Sequence, residues 1–457
     1  MSDEKPPPID EERAGMGGSP KKQSSFAIDA IGMTISRIFL RLTGFISNII
    51  IARVLGPEGR GLISALTVPS QLAINFSELG IRQSTAFHLG RGLLTTKQLV
   101  PTLLGMVPIA GGIGIGAALL YFEFAGIADQ DWTARALAVA IIPIGLVSAY
   151  STGVFLGEQR IAEYRKANWR PAVASLAVLS LLAALGLLDP RGALIAPLAG
   201  ALVAASYALY LLRRSAPLRI GFDRSVARML QTKAFSYAAS LMILMLNYRI
   251  MILMLSRYST LDQVGLFAQA ILIAELIWEI PNSLSAIVLS RAVNAKDEQA
   301  FSIKVQVLAR ISFFVAVLIS IGLGIIAPWF FPFVFGPDFA GSGIVCIALL
   351  PGIAAFILFK ILNIDLAGRG KPWLSMTVML PILALNIGAG WWAIQRADAL
   401  GAALVSSLCY MVAAVGYLGV YARVTGFSVF EVMRYRRSDF DMLMRALPLQ
   451  KLRRNRK

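Results

Sequence analysis

The sequence predicts an all-α polytopic membrane protein of about 12 transmembrane helices, arranged as two six-helix lobes related by an internal repeat. Three observations lead to this fold class: the composition, a series of long apolar segments, and a match between the two halves of the chain. Hydrophobic residues make up 57% of the 457 residues, charged residues make up 15%, and the mean hydropathy is +0.68. Soluble domains carry roughly 25% charged residues, so this composition is typical of a chain that lies largely in a bilayer.

Twelve apolar segments are long enough to cross the roughly 30 Å hydrocarbon core of a membrane. Prolines inside several of them, such as Pro69 and Pro281, predict kinks rather than helix ends, because neighbouring helices can satisfy the freed carbonyl groups. The predicted spans are 28–52, 61–87, 99–122, 136–156, 171–188, 193–212, 234–256, 264–290, 311–334, 340–364, 373–395 and 399–422.

The second half of the chain aligns with the first at a shift of 204 residues. Arg53, Gly61 and Leu62 match Arg257, Gly265 and Leu266, and one shift also places the polar stripe Gln71, Asn75 and Glu78 on Glu275, Glu279 and Asn282. Because each half holds six spans, the two copies have the same membrane orientation, as in parallel repeats related by an axis along the membrane normal. This arrangement indicates a transporter with two lobes.

Basic residues predict the orientation. Most of the 43 Lys and Arg residues fall in the termini and in the loops on the same side, whereas the opposite loops carry only Arg53, Arg60, Arg135, Arg191, Arg257 and Arg396. Both termini are therefore predicted to be cytoplasmic, and the basic pI reflects topology and anionic lipids rather than nucleic-acid binding. The predicted segments are a disordered tail at 1–27, an N-terminal lobe at 28–212, an interfacial linker at 213–233, a C-terminal lobe at 234–422 and a basic tail at 423–457.

The first predicted span places two arginines in an otherwise apolar segment. Arg37, Arg41 and Asn48 fall in one stripe of a helix. A cation at mid-bilayer costs about 2.5–3.5 kcal/mol on insertion scales, so the pair must face protein, water or a ligand. Contact with a ligand is the favoured interpretation, and neutralisation by Glu78 and Asp29 is the alternative.

The second and eighth predicted spans carry further polar stripes. Arg82 extends the stripe of span two, and the two glutamates of span eight share one face. The stripe of span two repeats the spacing of the stripe in span one, so these two consecutive spans could line one cavity. The alternative for Glu275 and Glu279 is an internal salt bridge with Arg249 or Lys360.

Residue counts argue against several kinds of chemistry. His88 is the only histidine, and Cys346 and Cys409 both lie in apolar segments, so neither a metal site nor a disulfide is predicted. No GxxxxGK[ST] motif occurs, which leaves an ion gradient or consumption of the product as the source of energy. No cofactor is predicted beyond a coupling ion, H⁺ or Na⁺, which a cavity carboxylate would bind.

Several segments resemble a known family. The chain is similar to Wzx-type flippases for O-antigen and exopolysaccharide repeat units, which belong to the multidrug, oligosaccharidyl-lipid and polysaccharide exporter superfamily. The segments that carry the resemblance are RLTGFISNIIIARVLGPEGRGLISAL at 41–66, ELGIRQSTAFHLGR at 78–91, LNYRIMILML at 246–255, VGLFAQA at 264–270 and NIDLAGRGKP at 363–372.

The resemblance implies export of an undecaprenyl-pyrophosphate-linked oligosaccharide across a bacterial inner membrane by alternating access. It also implies membrane lipids, a polysaccharide polymerase and a chain-length regulator as partners. In relatives an acidic residue often stands where this chain has Met251. The predicted pyrophosphate and sugar contacts are Arg37, Arg41, Asn48, Gln71, Asn75, Arg82, Asn247 and Arg249, and the predicted cavity or coupling carboxylates are Glu78, Glu275 and Glu279.

Two other functions stay open at this point. A drug antiporter of the same superfamily would more naturally have carboxylates where this chain has its arginine pair. A membrane glycan ligase or polymerase would need a large external catalytic loop, and the longest predicted one, 123–135, is short.

Three further segments are interpreted from local patterns. Residues 213–230 have the pattern of a short interfacial helix with Phe222, Val226 and Met229 on one side, and the basic C-terminal tail predicts anchoring at the membrane surface or docking of a partner. The glycine- and proline-rich segment that follows Arg53 is interpreted as a turn rather than a substrate contact.

Overall fold

A computed structural model describes residues 20–127, 131–279, 281–282, 298–435 and 439, without the side chains of 20–35, Arg37, Lys233, 235–237 and Glu298. Within these ranges every regular element is helical. The α-helices are α1 (Pro20–Glu78), α2 (Ile81–Gly90), α3 (Thr96–Phe124), α4 (Trp132–Gly157), α5 (Ile161–Ala184), α6 (Pro190–Leu212), α7 (Arg224–Tyr258), α8 (Leu261–Ala274), α9 (Glu298–Phe335), α10 (Ala340–Gly368), α11 (Leu374–Thr425) and α12 (Val429–Met433), and 3₁₀ turns cover Glu275–Trp278 and Pro337–Phe339.

Backbone breaks divide the two longest helices. In α1, Gly56 has φ 64° and ψ −172°, a conformation that glycine adopts without a steric penalty. In α11 the break lies at Ala397 and Asp398. A straight helix of 52 residues would measure about 78 Å, far more than the roughly 30 Å membrane core, so each long helix supplies two spans.

The predicted fold class is confirmed. Ten helices in the described ranges are long and apolar enough to cross a membrane, and the two that contain a break account for two predicted spans each. The protein is an all-α polytopic membrane protein. The helix α1 begins at Pro20, inside the predicted tail 1–27, of which residues 1–19 lie outside the described ranges.

Two apolar cores organise the helices. The first is built from α1 to α6, and the second from α8 to α11 together with the later turns of α7. The first turns of α7 belong to the first core, because Val226, Ala227, Leu230 and Ala234 are buried there. The helix α7 therefore links the two lobes physically.

The predicted interfacial helix at 213–230 does not form as one helix. After α6 the chain is non-helical up to Asp223, with Gly221 N donating to Pro101 O at 3.2 Å on α3. Asp223 then caps α7, and Oδ1 accepts a hydrogen bond from Ser225 N at 2.8 Å. The hydroxyl of Ser225 and the nearby backbone amides hold the pKa of Asp223 below its usual value. Val226 is buried rather than interfacial, because the chain turns into the first core at this cap.

The beginning of the basic C-terminal segment packs on the second lobe. Arg310 of α9 is buried, and its guanidinium contacts Asp439 Oδ2 at 2.9 Å and Val432 O at 2.8 Å. Burial raises the pKa of Tyr435, whose hydroxyl donates to Arg310 O. Residues 440–457 lie outside the described ranges, so membrane anchoring by this tail stays a prediction.

Candidate functional site: a charged cavity between the lobes

A cavity of about 600 Å³ lies between the two lobes. Its walls come from both halves of α1, from α7, and from α8 with the 3₁₀ turn that follows it, and α10 contributes one residue, Lys360. Arg41 and Asn75 both line it, although 34 residues separate them in α1. The break at Gly56 therefore reverses the chain and brings the two halves of α1 to the same cavity.

One face of the second half of α1 supplies most of the polar wall. Arg60, Ser64, Thr67, Gln71 and Asn75 follow spacings of four, three, four and four, which places them in one stripe of a helix. Residues on the other faces of this half-helix are buried in the first apolar core. The stripe predicted from Gln71 onward thus begins about three helical turns earlier, at Arg60.

Arg41 of α1 forms an ion pair with Glu279, which directly follows the 3₁₀ turn after α8. The expected alternative partner, Glu78, contacts Arg82 instead, with Nε to Oε1 at 3.2 Å. The reason is local: Glu78 and Arg82 stand four residues apart around the junction of α1 and α2. The side chains of Arg37 and Asp29 lie outside the description.

Arg249 and Glu275 form a second ion pair on the wall of the C-terminal lobe. Two guanidinium nitrogens of Arg249 lie 3.4 and 3.3 Å from the two carboxylate oxygens of Glu275. This side-by-side geometry is the one in which an arginine fork matches a carboxylate. One of the salt bridges that the sequence offered as an alternative is therefore present.

Lys360 contacts two aromatic rings and Arg60 contacts an amide, rather than either forming a salt bridge among the described residues. The Lys360 ammonium lies 4.4 Å from the centre of the Trp278 ring and 5.1 Å from that of Tyr248, within the range of cation–π attraction. Arg60 Nε donates to Gln269 Oε1 at 3.2 Å. In the part of the chain that the structure describes, no carboxylate lies within salt-bridge distance of either cation.

The cavity consequently has an excess of positive charge. Its described lining includes four cations and two carboxylates, and both carboxylates are already paired with arginines. The lining also offers the hydroxyl groups of Ser64 and Thr67 and the amides of Gln71 and Asn75. An elongated ligand with anionic and hydroxyl groups fits this combination of side chains.

The remaining predicted residues lie beside the cavity or away from it. Glu78 and Arg82 line an adjoining pocket of about 60 Å³ that shares Asn75 and Met245 with the cavity. Asn48 donates its amide to Gly44 O at 2.7 Å in its own helix.

Asn247 is buried away from the cavity lining. It donates to Ile243 O at 2.9 Å and to Met379 O at 3.1 Å, which ties α7 to α11. Ligand contact by Asn48 or Asn247 has no support from their positions.

Sequence reasoning missed Arg60 as a cavity residue and treated Lys360 only as an ion-pair partner. Arg60 continues the four-three-four spacing of the stripe backward, so that signal was available. Lys360 stands in a predicted apolar span, where a charge is expensive and signals function. No comparable pattern in the sequence indicates that the rings of Trp278 and Tyr248 contact Lys360. Among the described residues, no group of three or more His, Cys, Asp or Glu side chains is placed to hold a metal ion.

The broken helices, the two lobes and the polar cavity between them define the class, a polytopic membrane protein with two helical lobes around a polar cavity. Residues 27–293, more than half of the chain, match the sequence profile of a family described as polysaccharide biosynthesis protein. The protein belongs to this family. A search of curated protein sequences finds no significant match.

Solved structures share the fold at low sequence identity. The lipid II flippase MurJ, in an inward closed conformation, is similar with a TM-score of 0.71 and 16% identity, over 88% of this chain and 90% of that one. An inward-facing multidrug resistance MATE family transporter of the MOP superfamily is similar with a TM-score of 0.73 and 14% identity, over 87% of this chain and 98% of that one.

Proposed function

We propose that the protein flips an undecaprenyl-pyrophosphate-linked oligosaccharide from the cytoplasmic to the periplasmic leaflet of a bacterial inner membrane by alternating access. The observation that carries this proposal is the excess of two positive charges in the cavity lining. A pyrophosphate diester carries two negative charges, one on each phosphate. The ligand would therefore supply the counter-charge that Arg60 and Lys360 lack in the described part of the protein.

The shape of the polar wall supports an oligosaccharide. From Arg60 to Asn75 the stripe extends about 22 Å at the helical rise of 1.5 Å per residue, long enough for several sugars beside a pyrophosphate. Hydroxyl and amide groups along the stripe can exchange hydrogen bonds with sugar hydroxyls. Arginine forks bind phosphate oxygens with charge-assisted hydrogen bonds, so Arg41 and Arg249 can exchange a carboxylate partner for a phosphate.

Membership in the polysaccharide biosynthesis family supports a glycan substrate. The fold shared with the lipid II flippase MurJ, whose name gives a lipid-linked substrate, supports flipping. The bacterial inner membrane, cytoplasmic termini, a polymerase and a chain-length regulator as partners, and H⁺ or Na⁺ as the coupling ion are parts of the same proposal.

A binding experiment tests the substrate class. Purified protein in nanodiscs would be titrated with undecaprenyl pyrophosphate and with undecaprenyl monophosphate. We expect tighter binding of the pyrophosphate, and at least about tenfold weaker binding in Arg60→Gln/Lys360→Met, because two cations are lost and 1.4 kcal/mol corresponds to tenfold.

Lys304→Met is the matched control, because Lys304 is an exposed lysine of α9 that does not line the cavity. Equal affinity for the two lipids, or an equal loss in the control, would refute the proposal.

Cation-coupled export of drugs is the second candidate, and the two cavity glutamates favour it. Both carboxylates are occupied by arginines, which leaves a cationic drug without a counter-charge. Efflux of a cationic dye that depends on Glu275 and Glu279 would support this candidate against the flippase.

A further inference from the structure

Two sets of three residues that the internal repeat relates meet at one end of the molecule. We call this contact the distal seam, formed by Arg53, Pro57 and Gly61 of α1 and by Arg257, Leu261 and Gly265 of α7 and α8. The shift that relates the first three to the last three is the same 204 residues found between the halves. The seam lies at the break of α1.

The two glycines of the distal seam allow backbone to touch backbone. A Cβ atom on Gly61 would lie 1.8 Å from Leu261 O, and a Cβ atom on Gly265 would lie 2.0 Å from Pro57 O. These contacts are reciprocal, because Leu261 is the repeat counterpart of Pro57. Any larger side chain at either glycine would force the lobes apart at this end.

The two arginines of the distal seam reach across it in the same reciprocal way. Arg53, in the first lobe, donates to Val334 O at 2.8 Å and to Phe333 O at 2.5 Å, at the end of α9. Arg257, in the second lobe, lies 5.6 Å from the ring centre of Phe124, at the end of α3. Each arginine therefore contacts the end of the third span of the opposite lobe.

The cavity ends at this seam. Arg60, the last cavity residue of the stripe, is next to Gly61, whereas Arg41 toward the other end has 60% of its side chain exposed. A hydrogen bond from the Tyr121 hydroxyl to Leu253 O, at 2.8 Å, adds a further contact from α3 to α7.

We propose that the distal seam is a gate built from the internal repeat, closed by backbone contact at Gly61 and Gly265 and latched by Arg53 and Arg257. Opening the cavity at this end requires both latches to release together, since each one joins the lobes. The gate rests on the alternating-access mechanism of the proposed function, but it does not depend on the identity of the substrate. The segment after Arg53 was interpreted from the sequence as a turn. Its contacts at the distal seam make it part of the proposed gate.

Distances between spin labels test the gate without any substrate. A first pair of labels at Glu58→Cys and Asp338→Cys reports the separation of the lobes at the distal seam. A second pair at Lys97→Cys and Lys371→Cys reports the opposite end. All four positions are exposed, and both pairs are placed in a background of Cys346→Ala and Cys409→Ala in nanodiscs.

We expect one narrow distal distance in the unmodified gate. In Arg53→Gln/Arg257→Gln, and independently in Gly61→Ala, a longer distal distance should appear, with the ratio of long to short distances raised about tenfold. The second pair should move closer in the same variants.

Matched controls are Arg396→Gln and Gly112→Ala. The Arg396 guanidinium bonds to Trp392 O in its own helix, and a Cβ atom on Gly112 would meet no heavy atom within 4 Å. Distal distances that stay as in the controls in both the arginine and the glycine variants would overturn the proposal. Because no lipid or sugar enters the measurement, this result is separate from failure of the proposed substrate.

Discussion

Individual cations in this membrane protein are stabilised in two different ways. Arg41 and Arg249 have carboxylate partners, whereas Lys360 lies over the faces of two aromatic rings. An arginine in an ion pair must exchange its carboxylate for a ligand, whereas a cation over an aromatic face has no carboxylate to displace. The charge of Lys360, on the wall of the C-terminal lobe, is therefore available to a ligand. The internal repeat does not predict a charge at this position.

At the residue scale, we expect Arg41→Ala and Arg37→Ala each to abolish export of the glycan while the protein still inserts, because the pyrophosphate loses a counter-charge. Arg41→Lys should restore part of the export, since it keeps the charge but lacks the fork. Surface glycan is measured at matched protein abundance. Normal surface glycan in the double alanine variant would exclude both residues from the mechanism.

The carboxylates are the second test at this scale. If Glu275 or Glu279 binds the coupling ion, Glu275→Gln or Glu279→Gln removes the dependence of flipping on an imposed H⁺ or Na⁺ gradient in proteoliposomes. A neutral amide cannot take up a proton, so one orientation of the lobes loses its bias. Gradient dependence that survives in both variants would rule out this assignment. Flipping that ignores the gradient in the unmodified protein would leave consumption of the product as the driving force.

At the scale of helices, Asn247 is expected to contribute to stability rather than to ligand binding. It is 2% exposed and joins α7 to α11 through Met379 O. Asn247→Ala should lower the free energy of unfolding in mixed micelles by about 1–3 kcal/mol. Asn48→Ala is the control, expected to stay within about 0.5 kcal/mol, because that amide bonds only to its own helix. A large loss of lipid affinity in Asn247→Ala with unchanged stability would contradict this role.

Hydropathy predicted the membrane-spanning helices well. It failed at the linker, where tertiary contacts determine the structure. The spans were visible because a bilayer requires about 20 apolar residues with all backbone groups satisfied inside the helix. The linker was mispredicted because Phe222, Val226 and Met229 have amphipathic spacing, yet Asp223 starts a new helix that enters the first core. Only the packed structure shows that Val226 belongs inside.

The candidate site was predictable as a set of stripes but not as a set of pairs. Arg41, Gln71, Asn75, Arg249, Glu275 and Glu279 line the cavity, as their positions on the helix faces suggested. Which carboxylate meets which arginine depends on how the lobes sit against each other, and sequence spacing fixes only contacts within one helix. Glu78 and Arg82 stand four residues apart, so the sequence spacing can indicate this local pair. It cannot indicate the pairs between different helices.

At the scale of the whole molecule, the distribution of basic residues leads to a topology test. We expect single cysteines at Lys97 and Lys371 to be labelled by a membrane-impermeant reagent only from the cytoplasmic side, and cysteines at Glu58 and Asp338 only from the other side. The background again lacks Cys346 and Cys409, which are buried. Labelling of Lys97→Cys in intact cells would overturn the predicted orientation.

The helix α7 has a consequence for how the chain is made. A first half that ended at Leu212 would lack Val226, Leu230 and Ala234, which cover its apolar core. Such a fragment would expose a groove that only the beginning of the other half can fill. Two halves expressed as separate chains should therefore associate through α7 and reassemble, as the subunits of a heterodimer would. The loop that joins them in the present chain would not be required.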